Sequence, residues 1–149
     1  MSLKQNLYSQ CQELINSRYE IIQQHIADLQ QSLSSETKSS AGDKHETGRA
    51  MVQLEREKAG HQLAEINKIR LVLSKIDPKT NHSHVGLGSL VFTSKANYYI
   101  AASLGPLELD GKAYYAISPG TPMGRVLMGK IEKDEVTFNG DTFVIDEIV

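Results

Sequence analysis

From Leu3 to Ile76 the apolar residues return at intervals of three, four and seven. Leu7, Leu14 and Ile21 repeat every seven positions beside Tyr8, Ile15, Ile22 and Leu29, and Ile26 and Leu33 continue the stripe. Val52, Ala59, Ile66 and Leu73 repeat in the same way beside Leu63, Ile69 and Ile76. Such spacing paints a narrow apolar seam along a helix, and a seam is stable when a second helix covers it. The interval between the two arms, SLSSETKSSAGDKH, is rich in turn formers. The pattern therefore predicts an antiparallel hairpin over residues 1–77 in which the seams close on each other. Arms of about 30 residues, rising about 1.5 Å per residue, make a rod of roughly 45 Å with more surface than core.

After Ile76 the rhythm breaks at DPKTNHSHVGLG, where proline, polar residues and glycine mark a linker over residues 78–85. Short runs rich in β-branched and aromatic residues follow: GSLVFTS, NYYIAAS, AYYAIS, EVTFN and TFVIDEIV, with LDGK and NGD as tight-turn signals. One helix interrupts them. In TPMGRVLMGK, Thr121 is placed as the N-cap, Pro122 as the first helical residue and Gly129 as the left-handed stop. The expected fold is α+β: an N-terminal antiparallel helical hairpin, coiled-coil in character, then a small antiparallel sheet with one helix over residues 86–149. Adjacent strand residues face opposite ways, so each of the pairs Tyr98–Tyr99 and Tyr114–Tyr115 is expected to put one ring in the core and one at the surface.

Composition narrows the function classes. The chain has 149 residues, a formal charge of −2 and 23% charged residues, which suits one ordinary domain or two small ones and neither a basic nucleic-acid binder nor an acidic tail. No apolar run approaches the roughly 18 residues of a membrane span, and MSLKQNLYSQ lacks a secretory pattern, so a cytoplasmic location without membrane contact is expected. The single cysteine, Cys11, has no partner for an internal disulfide and is expected to pack within a helix seam. His82 and His84 form an HxH in the linker with no further ligand at metal-binding spacing, which favours a polar linker over a metal site. The chain contains no GxSxG, phosphate loop or zinc-ligand spacing.

The candidate chemistry lies in KSSAGDKHETGRAM, between the arms. Asp43 and Glu46 stand three apart, which fits a capping box: Asp43 accepts from the Glu46 N–H and Glu46 reaches back. The same two carboxylates, at the end of a long hairpin, also suit a hard divalent ion such as Mg²⁺. That ion keeps most of its waters, so the remaining ligands would belong to a partner's site. Lys38, Lys44, Arg49, Arg56 and Lys58 add positive charge near this end, available to RNA phosphate or a protein partner, or simply a solvated helix face.

GDKHET, residues 42–47, resembles the GDxxEN-like tip motif of the bacterial Gre (GreA/GreB) transcript-cleavage factors. TPMGRVLMGKIEKDEV, residues 121–136, is similar to their C-terminal SPxxRALLGKxxGD segment and the valine-rich strand after it. Thr121, Pro122, Gly124, Arg125, Gly129 and Lys130 carry that second likeness, with Thr121 in place of serine and Lys133 in place of glycine. The two motifs lie about eighty residues apart in the same order as in the family, and their joint occurrence is far more specific than either alone.

The resemblance implies an FKBP-like C-terminal domain that docks on RNA polymerase at the mouth of its secondary channel. It also implies a hairpin inserted through that channel. Asp43 and Glu46 would share Mg²⁺ with the polymerase, bind no metal stably alone, and stimulate cleavage of the 3′ end of backtracked nascent RNA. The chemistry would be the polymerase's own, so the chain itself would not be an enzyme. This sequence departs from the family in placing Lys44 and His45 between the acids and Gly48, Arg49 and Ala50 after them. A channel regulator without cleavage is therefore a second reading, and an FKBP-like prolyl isomerase or chaperone with a helical arm is a third. The heptads that close a hairpin could also pair between chains, which leaves monomer and oligomer both open.

Overall fold

The computed structural model describes residues 2–38 and 42–149, with the side chains of residues 36–47 outside that description. Two long helices, α1 (Leu3–Lys38) and α2 (Gly42–Ser74), precede β1 (Leu90–Thr93), β2 (Asn97–Ile100), β3 (Gly105–Leu109), β4 (Lys112–Ile117), α3 (Pro122–Leu127), β5 (Glu135–Phe138) and β6 (Asp141–Ile148). This is the expected α+β order, a helical hairpin followed by a sheet with one short helix. The chain divides into two compact units: a sheet unit, Met1–Leu14 with Leu71–Val149, and a hairpin unit, Ile15–Arg70.

In the hairpin unit the helices run antiparallel. The Arg70 guanidinium sits 3.9 Å from the centre of the Tyr19 ring, while Gln30 and Leu33 share a hollow with Arg49 and Gln53. The seam follows the three-four rhythm: Ile15, Ile22 and Ala59 are buried, and Ile26, Leu29, Leu33, Val52, Leu63, Ile66 and Ile69 are half-buried. Two positions depart from expectation. Ile21 falls outside the seam and is 67% exposed, and Arg56 occupies a seam position between Val52 and Ala59. A Cβ built on Gly60 would lie 3.1 Å from Arg56 Nη1, so the glycine leaves that guanidinium room.

In the sheet unit six strands are ordered β3-β4-β2-β1-β6-β5. Asp110–Gly111 and Asn139–Gly140, all at positive φ, turn the β3–β4 and β5–β6 hairpins, as LDGK and NGD predicted. The sheet is mixed where an antiparallel one was expected, because β2 and β4 pair in parallel through Tyr98↔Tyr115 and Ile100↔Ile117. The strand that sequence reasoning missed is β3. Its Pro106 reads as a breaker, yet at the sheet's edge a strand tolerates a residue with no N–H to donate.

One face of the sheet carries a core of Val91, Ile100, Leu127, Val136, Phe143 and Ile145 beneath α3. The opposite face is covered by the start of α1, where Leu7 and Cys11 are fully buried. Tyr98 and Tyr99 are therefore both buried, against the expected split, because they lie on a central strand with both faces covered; Tyr114 is buried and Tyr115 is 42% exposed, as the alternation requires. The start of α1 is tied in several ways. Ser2 and Gln5 form a capping box, with Gln5 N donating to Ser2 Oγ at 3.2 Å and Ser2 N to Gln5 Oε1 at 2.9 Å. The buried Lys4 ammonium donates to the carbonyl oxygen of Thr80 and, at 2.9 Å, to the Val149 oxygen. Tyr8 Oη donates to the Leu73 carbonyl at 2.8 Å, and Gln10 Nε2 to Glu108 O at 3.0 Å.

Candidate functional site

The sequence-predicted site residues fall in two places. Lys38 closes α1, and Asp43, Lys44 and Glu46 lie near the start of α2, whose first residue is Gly42. Their side chains lie outside the described residues, and so does the capping box expected between Asp43 and Glu46. Positions 43 and 46 are three apart within one helix, the separation at which two positions share a side of it.

Beyond these residues the structure sorts the basic group. Arg49 and Arg56 line one hollow of about 650 Å³ with Gln30, Ser34, Gln53 and Glu57. Arg49, Gln53 and Arg56 share a face of α2 because they are spaced by four and three residues. Arg49 is exposed and Arg56 half-buried. Lys58 is exposed and nine residues from Arg49, half a turn away from that face. The hollow thus holds two guanidinium groups, amide side chains and one acid, a lining suited to a polar, hydrogen-bonding group. Sequence reasoning singled out both arginines but not the amides of Gln30 and Gln53, which only the pairing of the arms brings beside them.

The second place is the α3 segment. Thr121 is the N-cap: its Oγ1 accepts from Gly124 N at 3.1 Å and donates to Ser118 O at 2.7 Å. Pro122 opens the helix, where a missing N–H costs nothing, and Gly129 follows it at φ 78°, a left-handed conformation. Gly124 is buried, and a Cβ there would come within 2.2 Å of the Ser118 carbonyl oxygen. The Lys130 carbonyl accepts from Val85 N at 2.9 Å, and the Gly129 N–H donates to Val85 O at 2.8 Å, which pins the end of the segment to the linker. Folding accounts for Thr121, Pro122, Gly124 and Gly129. Arg125 is exposed, and among the described residues its side chain makes no hydrogen bond or ion pair. Met128 and Ile131, 38% and 45% exposed, lie in the same segment, so it presents a cation beside apolar surface. Lys133, where the resemblance calls for glycine, takes φ 73°, which explains why glycine suits that position.

Other candidates resolve into structure. Cys11 is fully buried, and burial pushes its thiol up to about 12, which keeps it protonated and unreactive at neutral pH. Burial likewise raises the Tyr99 hydroxyl, whose buried oxygen has no hydrogen-bond partner. His84 Nδ1 lies 3.0 Å from Ser83 Oγ. His82 is half-buried, and burial together with the Lys4 charge lowers its pKa. Among the described residues no group of three or more histidine, cysteine or acidic side chains could hold a metal ion, and no helix is long and apolar enough to cross a membrane.

No protein-family model matches the chain, and no curated protein matches it. Among solved structures, the GreA factor homolog 1 (Gfh1) protein of Thermus thermophilus aligns at 19% identity over 92% of this chain and 93% of its own, with a TM-score of 0.38. A second structure, of the transcription factor Gfh1, aligns at 18% identity over 91% of each chain, with a TM-score of 0.36.

Proposed function

We propose that this protein is a transcription elongation factor that binds RNA polymerase, inserts its hairpin through the secondary channel and stimulates cleavage of the 3′ end of backtracked RNA. The observation that carries the reading is the coupling of two motifs on one chain. An acid pair, Asp43 and Glu46, stands where two long antiparallel helices join, and a sheet unit carries the TPMGRVLMGK segment with Arg125 left exposed. Arg125, Met128 and Ile131 are the proposed docking group on the polymerase. Arg49 and Arg56, in their shared hollow, are the proposed contact to the phosphates of the extruded RNA.

At the junction end the donor set is two carboxylates, the oxygen chemistry that Mg²⁺ takes alongside its own waters. Such an ion, beside a metal of the polymerase's own, would supply two-metal chemistry that stabilises the attacking hydroxide and the leaving oxygen. Asp43 and Glu46 would orient the ion and water, and the bond cleaved would be cleaved by the polymerase. Purified protein added to a backtracked complex should release short 3′ RNA fragments in a Mg²⁺-dependent way. No release at saturating protein sinks the cleavage reading.

A second reading rests on Lys44 and His45, which separate the acids. A cation beside a carboxylate weakens its hold on a metal ion. The chain would then occupy the channel and slow transcription without cleavage. Inhibited elongation with no fragment release selects it.

A further inference from the structure

One side of the hairpin's seam is open, and apolar residues that the seam does not use lie along it. Between the helices lies a groove of about 510 Å³ floored by Ile15, Ile22, Ile66 and Ile69, with Ile21 on its edge at 67% exposure. Met51 and Leu54, each 65% exposed, continue the same side of α2, because positions 51, 54, 58, 61 and 65 follow one another in steps of three and four. His61 and Glu65 of that row line the groove. Among the described residues, every large apolar side chain left exposed in the hairpin unit therefore lies on this face. An ordinary hairpin surface scatters such residues singly.

Charge selects the occupant. Arg18 stands on the α1 side of the groove and Glu65 on the α2 side. Glu65 also takes a hydrogen bond from Lys68 at 3.0 Å, an exposed pair of the kind that contributes little. A foreign helix laid here would need an acid opposite Arg18 and a base opposite Glu65. A second hairpin, related by a two-fold axis along the helices, supplies both at once: each Arg18 meets the other copy's Glu65. We propose that this face is a self-association surface on which a second copy of the chain docks through Ile21, Met51 and Leu54, with reciprocal Arg18–Glu65 pairs fixing the register.

The test is sedimentation equilibrium of the full chain up to about 0.3 mM, a range that captures weak homodimers, with helix content followed by circular dichroism. The wild type should approach a dimer. Arg18→Glu and Glu65→Arg should each weaken association about tenfold by setting like charges together, and the double exchange should restore it. Ile21→Gln, at a position already mostly exposed, should weaken it without loss of helix. A wild type that stays monomeric throughout overturns the proposal. So does a dimer indifferent to Ile21→Gln, or one that both single charge variants weaken and the double exchange fails to rescue.

Discussion

The sheet unit and the hairpin unit solve the same problem, burying apolar surface, with unequal success. In the sheet unit the central strands are covered on both faces, by α3 on one side and by Leu7 and Cys11 of α1 on the other, and the core side chains are closed to solvent. In the hairpin unit only Ile15, Ile22 and Ala59 are fully buried among the described residues, while Ile21, Met51 and Leu54 stay exposed. Two helices can cover only one stripe of each other. Stability is therefore concentrated in the sheet unit, and the hairpin is left with surface to offer a partner.

Reactivity gives the largest contrast. Burial raises Cys11 from an ordinary value of 9.0 to about 12, so iodoacetamide at pH 8 should modify the folded protein about a thousandfold more slowly than the unfolded chain. The sign for stability follows: the thiol is neutral in both states below its ordinary value, so its contribution is intact there and is lost as pH rises from 9.0 toward about 12. Fast labelling of folded protein would mean that the base of α1 does not seal the sheet.

Packing comes next. Leu127→Ala, in the closed core, should cost about 3 kcal/mol in denaturant unfolding, against about 1 kcal/mol for Ile66→Ala in the half-open seam. Equal costs would erase the difference between the units. Thr121→Ala removes the N-cap acceptor and should cost about 1 kcal/mol. The smallest effect has the opposite sign: Lys133→Gly should stabilise the sheet unit by roughly 0.5–1 kcal/mol, because φ 73° strains any residue with a Cβ. A lower melting temperature for that variant would show that the Lys133 side chain is holding the turn.

Legibility in the sequence followed the same division. Heptads gave the two helices, the Asp-Gly and Asn-Gly pairs gave both hairpin turns, and Thr121, Pro122 and Gly129 gave α3 to the residue, because each of these signals is local. The edge strand β3 was hidden by Pro106, whose tolerance depends on a sheet edge that no local pattern reveals. The parallel β2–β4 pairing and the double burial of Tyr98 and Tyr99 are likewise properties of the assembled unit. At the candidate site, the motif residues were legible as a group, but separating Gly124, which folding needs, from Arg125, which folding does not use, required the 2.2 Å approach to Ser118 O. Grouping Arg49 with Arg56 and apart from Lys58 required only helical spacing, while adding Gln30 required knowing how the arms align.

The proposal that the hairpin's junction end works inside the polymerase is tested most directly by Asp43→Asn with Glu46→Gln in the fragment-release assay, with binding to the polymerase measured in parallel. The double variant should still bind and release no 3′ fragments above the level of polymerase alone. Fragment release at the wild-type rate, with binding intact, would contradict it.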